Sequence, residues 1–212
     1  MGQVLLVRHG QASFGSEDYD VLSAVGEQQS AVLGRFLSGL DPQSVVHGSL
    51  QRQRRTAEIA VEAAGWSATP YVDPRWDEMD HLLLLAAHPQ PSVSEPDARQ
   101  FQAWFEAATD RWTSGGHDHD YDESFPDFTA RVRGALDDLH PDGTTVVFTS
   151  GGPIATVVTQ LLDAGTPTYT RLAPVVVNSS ITRIVTGRRG RTLVSFNAHA
   201  HLQDRPDLLT YR

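Results

Sequence analysis

The 212-residue chain contains no cysteine, which excludes disulfides and thiolate metal sites and fits a reducing compartment. Positive charge is also scarce: 17 basic residues against 26 acidic ones leave a formal net charge of -9. That balance argues against a nucleic-acid backbone as the main partner, while a local basic pocket can still take an anionic small molecule. Nowhere do about 18 apolar residues run uninterrupted, the length a membrane-crossing helix needs. The first residues pass into an apolar segment with no charged-then-apolar leader, so neither export nor a membrane partner is signalled and the cytoplasm is the expected compartment. There are no internal repeats, no linker and no heptad pattern that would specify an oligomer. With 40% hydrophobic residues, the chain is long enough for one sizeable core, and we expect one domain over residues 1–212.

What is present begins with Val4-Leu5-Leu6-Val7, which reads as a strand buried on both faces and stops abruptly at Arg8-His9-Gly10-Gln11. Desolvated charge must be paired, so Arg8 and His9 at a strand end suggest an anion; the plainer reading is a strand emerging into solvent. Gln11 to Asp20 reads as a loop. A helix capped by Ser23 follows through Leu37, then a strand over Ser44–Gly48 and a helix from Arg52 to Ala64 ended by Gly65. Arg52, Arg54 and Arg55 crowd that helix's first turn, where the dipole favours anions, so cations there cost stability unless a negative ligand joins them; one of the three is expected to be functional while the others fit a solvated face.

Thr69 to Val72 is a third strand, and Pro74 to Pro96 an irregular, proline-rich stretch around Leu82–Leu85. Helices are expected over Ala98–Trp112, where the aromatics read as packing, and over Phe125–Leu139. The alternating His and Asp of 117–122 could in principle hold a divalent metal, but consecutive loop residues rarely keep rigid ligand geometry, and no metal is assigned. A buried strand, Thr144–Thr149, ends in Ser150-Gly151-Gly152-Pro153 ahead of a helix from Ile154 to Asp163. Small residues there offer bare N–H groups to an anion, or make only a tight turn. Two strands, Ser180–Thr186 and Thr192–Asn197, close the chain.

In a mostly parallel sheet, the ends carrying Arg8-His9, Arg52 and Ser150-Gly151 lie side by side. Two planar guanidinium forks and a helix N-terminus suit a phosphoryl group. His9 could then attack phosphorus or merely donate a hydrogen bond, and composition does not separate the two.

Leu6-Val7-Arg8-His9-Gly10-Gln11, followed by Ser49-Leu50-Gln51-Arg52 and Thr56-Ala57 and by the late Gly151-Gly152, resembles the histidine phosphatase superfamily, also called phosphoglycerate mutase-like, over nearly the whole chain. The resemblance implies a three-layer α/β/α sandwich with a mostly parallel sheet and a partly helical insertion, roughly residues 74–122, as lid. It implies that His9 is phosphorylated, that Arg8 and Arg52 bind the phosphoryl group with Gly10, Gln11 and Gly151 around it, and that Glu78 protonates the leaving oxygen. Asp77 and Asp80 compete with Glu78 for that role. No cofactor is implied. Family members usually have histidine directly before the late Gly-Gly, and here that position is Ser150, whose hydroxyl is expected to donate one hydrogen bond to a phosphoryl oxygen but brings no positive charge at neutral pH. His201, then His81, are the expected replacements, with His199 on the other side. The expected function is a phosphomonoesterase acting on a small phosphorylated molecule; the alternatives are a phosphoglycerate mutase and a phosphate-binding protein without turnover.

Overall fold

Alternating apolar side chains on the first strand supply two separate cores. In the computed structural model, which describes residues 2–13, 20–89 and 98–211, β1 (Gly2–Arg8) sends Val4 and Leu6 into one cluster and Leu5 and Val7 into another. β4 (Thr144–Thr149) divides Val147 from Val146 and Phe148, and β2 (Ser44–His47) divides Val46 from Val45. Successive side chains point to opposite faces, so strands this apolar need cover on both sides. α1 (Ala24–Phe36) and α2 (Gln51–Ala64) cover one face through Leu33, Ala57 and Ala60. α5 (Phe125–Asp137) and α6 (Gly151–Leu161) cover the other through Phe128, Val132, Ile154 and Val157.

The sheet has the order β3-β2-β4-β1-β5-β6, with β3 (Tyr71–Val72) at one edge and β5 (Ile181–Gly187) and β6 (Gly190–Ala198) at the other. β1, β2, β3 and β4 pair in parallel, while β5 runs antiparallel to both its neighbours. The fold is thus the expected three-layer α/β type with a mostly parallel sheet. The register Arg8↔Thr149 brings the ends of β1 and β4 level. His9-Gly10 therefore lies beside Ser150-Gly151, at the carboxyl edge where open sheets bind ligands.

The structure departs from the sequence reading in three places. α6 starts at Gly151 instead of Ile154, because Pro153 sits within the first turn, where a missing N–H is harmless. The insertion contains a further helix, α3 (His81–Ala86), capped by Asp80, whose Oδ1 accepts from the N–H groups of Leu82 and Leu83. Leu84 and Leu85 join the core, while Leu82 and Leu83 are exposed. Finally, α7 (Thr166–Leu172) follows α6, where no element was expected.

α4 (Ala98–Thr113) is close to its expected bounds. Arg111 donates to Asp120, to the Tyr121 hydroxyl and to His117, knitting the acidic loop together; among the described residues no metal-like group of His, Cys, Asp or Glu forms. Part of the expected Gln11–Asp20 loop and of the Pro74–Pro96 stretch lies outside the described residues. No helix is long and apolar enough to cross a membrane among those described.

Candidate active site

His9 leaves the end of β1 already oriented by its backbone. Its N–H donates to Thr149 O at 2.8 Å, and its carbonyl accepts from Ser179 N and from Asn178 Nδ2. Ser179 adopts a left-handed φ of 59° to do so, a conformation that a non-glycine residue holds only when its surroundings over-determine it. Asn178 is fixed in turn by Thr210, and Thr210 by Gln29. On the other side Gly10 N–H donates to Thr56 Oγ1, which itself donates to Arg52 O. A Cβ on Gly10 would meet Gly26 O at 2.4 Å, so the loop after β1 packs on α1 at a distance only glycine permits.

The imidazole is held by both nitrogens. Nδ1 lies 2.7 Å from Gly10 O and must carry the proton, while Nε2 accepts from Arg52 Nε at 3.2 Å. Burial, with Arg52 and Arg8 nearby, holds its pKa well below the ordinary 6.5. The ring is therefore neutral at physiological pH, with its Nε2 lone pair directed at a guanidinium.

Arg8 Nη1 donates to Val176 O, and Arg52, 8% exposed, pairs with Asp20 at 2.6 Å. Asp20 also accepts the N–H of Gln51 at the start of α2. The anion demanded by the basic first turn of α2 is thus a carboxylate of the chain itself. Arg54 and Arg55 are exposed and pair with Glu58 and Glu27.

Of the three candidate carboxylates, Asp80 caps α3 and Asp77 accepts from Ser49 N–H and Oγ. Glu78 alone lines the cavity. Desolvation pushes its pKa above the ordinary 4.5, against the N–H of Gly152 at 2.9 Å, the charges of Arg52 and Arg8, and the N–H of Met79. A Cβ on Gly152 would lie 2.1 Å from Glu78 Oε1. Since Gly152 is an ordinary helical position, Gly152→Ala should keep the fold, within a few degrees in Tm by circular dichroism, yet displace the carboxyl group. We expect about a 10²-fold loss with an alkyl phosphate, the lower end of what a misplaced acid forfeits.

A cavity of about 330 Å³ is lined by Arg8, His9, Arg52, Glu78, His81 and Gly151 together with residues of α4 and α7. Four other expected binding residues are absent from that lining. Gly10 and Gln11 hold the loop: Gly10 N–H goes to Thr56, Gln11 N–H goes to Gln29, and Gln11 Oε1 accepts from Ser23. Ser150 is 1% exposed, and its hydroxyl accepts from Gln53 Nε2 at 2.8 Å. His201 is carried away on a 3-10 turn anchored by Leu202. Its Nε2 meets Ser179 Oγ, its ring lies 5.4 Å from that of Phe36, and burial beside His199 lowers its pKa to about 4. It brings no charge at neutral pH. Of the two candidate replacements it is His81, the first residue of α3, that lines the cavity, and burial with Arg52 nearby lowers its pKa as well. The sequence reading missed Asp20, Gln53, Gly152 as the donor to Glu78, and Tyr169; the turn signal Gly165-Thr166-Pro167 could have revealed α7.

Comparison with known proteins decides the family. The profile described as "Histidine phosphatase superfamily (branch 1)" matches residues 4–199.

The chain belongs to the histidine phosphatase superfamily.

Among its relatives, a probable phosphoglycerate mutase, GpmB, of Erwinia tasmaniensis is 28% identical over 193 residues, covering 87% of this chain and 85% of the relative. The counterpart from Citrobacter koseri is 30% identical over the same shares. Among solved structures, YhfR of Bacillus stearothermophilus superposes with a TM-score of 0.72 at 21% identity, covering 96% of this chain and all of that one. A mycobacterial glucosyl-3-phosphoglycerate phosphatase complexed with VO3 gives 0.69 at 23%, covering 93% and 99%. A phosphoserine phosphatase mutant from Entamoeba histolytica, complexed with phosphoserine, gives 0.69 at 20%, covering 95% and 100%. The superfamily neighbours thus include both phosphatases and mutase-like proteins.

Proposed function

We propose that this member of the superfamily is a phosphomonoesterase that works through a phosphohistidine at His9. The observation that carries the reading is the pairing of a neutral imidazole, its Nδ1 proton committed to Gly10 O, with a desolvated carboxyl group, Glu78, in one cavity. An arriving phosphoryl group takes the hydrogen bonds of Arg8 and Arg52, and loss of the Arg52 Nε bond frees His9 Nε2 to attack phosphorus. The P–O bond breaks as the N–P bond forms, and the proton of Glu78 passes to the leaving alkoxide. Water then attacks phosphorus, Glu78 takes up its proton, and the N–P bond breaks to release phosphate.

Ser150 at the position where the family resemblance implies a histidine leaves the proposed site one cation short; His81 lines the cavity, but burial and the nearby Arg52 lower its pKa from the ordinary 6.5, so its contribution on this reading is a hydrogen bond and not a full charge. Phosphoryl transfer depends mainly on positioning and electrostatics, so the rate should be modest instead of absent. The names of the GpmB relatives favour a second reading, in which the phosphoryl group returns to a sugar acid. Incubation with p-nitrophenyl phosphate and, separately, with 3-phosphoglycerate distinguishes them. The phosphatase reading expects inorganic phosphate from the first; 2-phosphoglycerate from the second without phosphate release would establish the mutase. Tight phosphate binding with no turnover of either would establish a binding protein.

A further inference from the structure

The cavity that opens on His9 is lined by groups of two chemically different kinds. Arg8, His9, Arg52 and His81 are the basic side chains in its lining among the described residues, and they gather around the phosphoryl position. α4 contributes Phe101 and Phe105 to the same lining, with the carboxylates of Glu106, which accepts from Gln102 Nε2 at 2.7 Å, and of Asp110. All 17 basic residues of the chain are arginines, and outside the described residues the only basic side chain belongs to Arg212.

A second observation also points to a ligand. Tyr169 of α7 lines the same cavity and is 1% exposed, and its hydroxyl has no hydrogen-bond partner among the described residues. Glu78 is close enough to act on it electrostatically. Buried hydroxyls in native proteins are normally paired, so a polar atom arriving near Glu78 is the partner this one lacks. That is where the ester oxygen of a monoester must lie if Glu78 is to protonate it.

We propose that the substrate is the phosphate monoester of an alcohol that carries an ammonium group, its ester oxygen beside Tyr169 and Glu78 and its cationic end against α4. This inference rests on the phosphatase reading above. Aromatic rings beside carboxylates attract an ammonium group through ring quadrupole and charge together. The same carboxylates repel the carboxylate of a phosphoglycerate, since like charges across a site are costly.

The test compares kcat/KM of the full chain for phosphocholine and phosphoethanolamine with those for phosphoglycolate and 3-phosphoglycerate, with p-nitrophenyl phosphate as reference. We expect the ammonium esters to lead by about tenfold or more at low salt, a lead of roughly 1.4 kcal/mol. The double variant Glu106→Gln, Asp110→Asn should shrink that lead to about threefold or less, and Arg212→Ala should leave it in place. Tyr169→Phe should lower kcat/KM for the ammonium esters with Tm unchanged or raised, because an unpaired buried hydroxyl contributes nothing to folding. Hydrolysis of p-nitrophenyl phosphate with the carboxylated esters equal or ahead overturns this inference alone, as does a lead that survives the double variant. Failure to hydrolyse any ester overturns the phosphatase reading and this inference with it.

Discussion

His9→Ala should abolish turnover, by at least about 10⁴-fold, while phosphate or vanadate still binds within about tenfold of the parent affinity. The two readouts separate because the side chain's own contacts are few. The imidazole accepts one hydrogen bond from Arg52 and donates one to Gly10 O, whereas the backbone of residue 9 carries the bonds to Thr149, Ser179 and Asn178, which alanine keeps. Arg52 retains Asp20, and Arg8 retains Val176 O. Initial rates and isothermal titration with vanadate decide it. Activity surviving the substitution would remove His9 from the chemistry.

Glu78→Gln has the second largest expected effect, a fall in kcat of about 10²–10⁴-fold with an alkyl phosphate. The loss should be far smaller with p-nitrophenyl phosphate, whose leaving oxygen needs little protonation. Glutamine keeps the shape and can still accept from Gly152 N–H, so the contrast between leaving groups isolates the proton. The pH profile carries the same information with a definite sign. His9 must be neutral, and its lowered pKa places the acid limb of kcat/KM below pH 6.5. Glu78 must be protonated, and its raised pKa places the alkaline limb above pH 4.5. The parent should give a bell, and Glu78→Gln should flatten the alkaline limb while leaving the acid limb in place. Persistence of that limb in the variant would assign it to another group.

The parts of this site that were legible in the sequence are those fixed by local chemistry. An apolar run ending in Arg8-His9-Gly10 announces a buried strand whose end carries charge, and three arginines in the first turn of α2 announce a need for an anion. The first expectation matches the buried β1; at α2 the expected anion is a ligand, whereas the partner in the structure is Asp20, which is distant along the chain and which only tertiary folding brings there. The expectation of Glu78 over Asp77 and Asp80 comes from family resemblance, since a loop of three carboxylates does not by itself separate them. In the structure the choice rests on which ones Ser49 and the α3 N-terminus occupy. For His201 and Ser150, matched position along the chain does not say which way a side chain turns: the Ser150 hydroxyl accepts from Gln53, and the His201 ring lies against Phe36. Tyr169 was missed because α7 is only seven residues long and lacks a side-chain cap, so no extended periodicity marks it and the Gly165-Thr166-Pro167 turn is its one local signal.

The most direct measurement is to mix the protein with p-nitrophenyl phosphate, quench in alkali within the first turnovers, digest, and map the phosphorylated peptide by mass spectrometry. A phosphoryl group that survives alkali, is lost in acid and lies on His9 is the predicted result. A phosphoryl group on any other residue, or steady release of phosphate with no phosphorylated peptide in parent and Glu78→Gln alike, would contradict it.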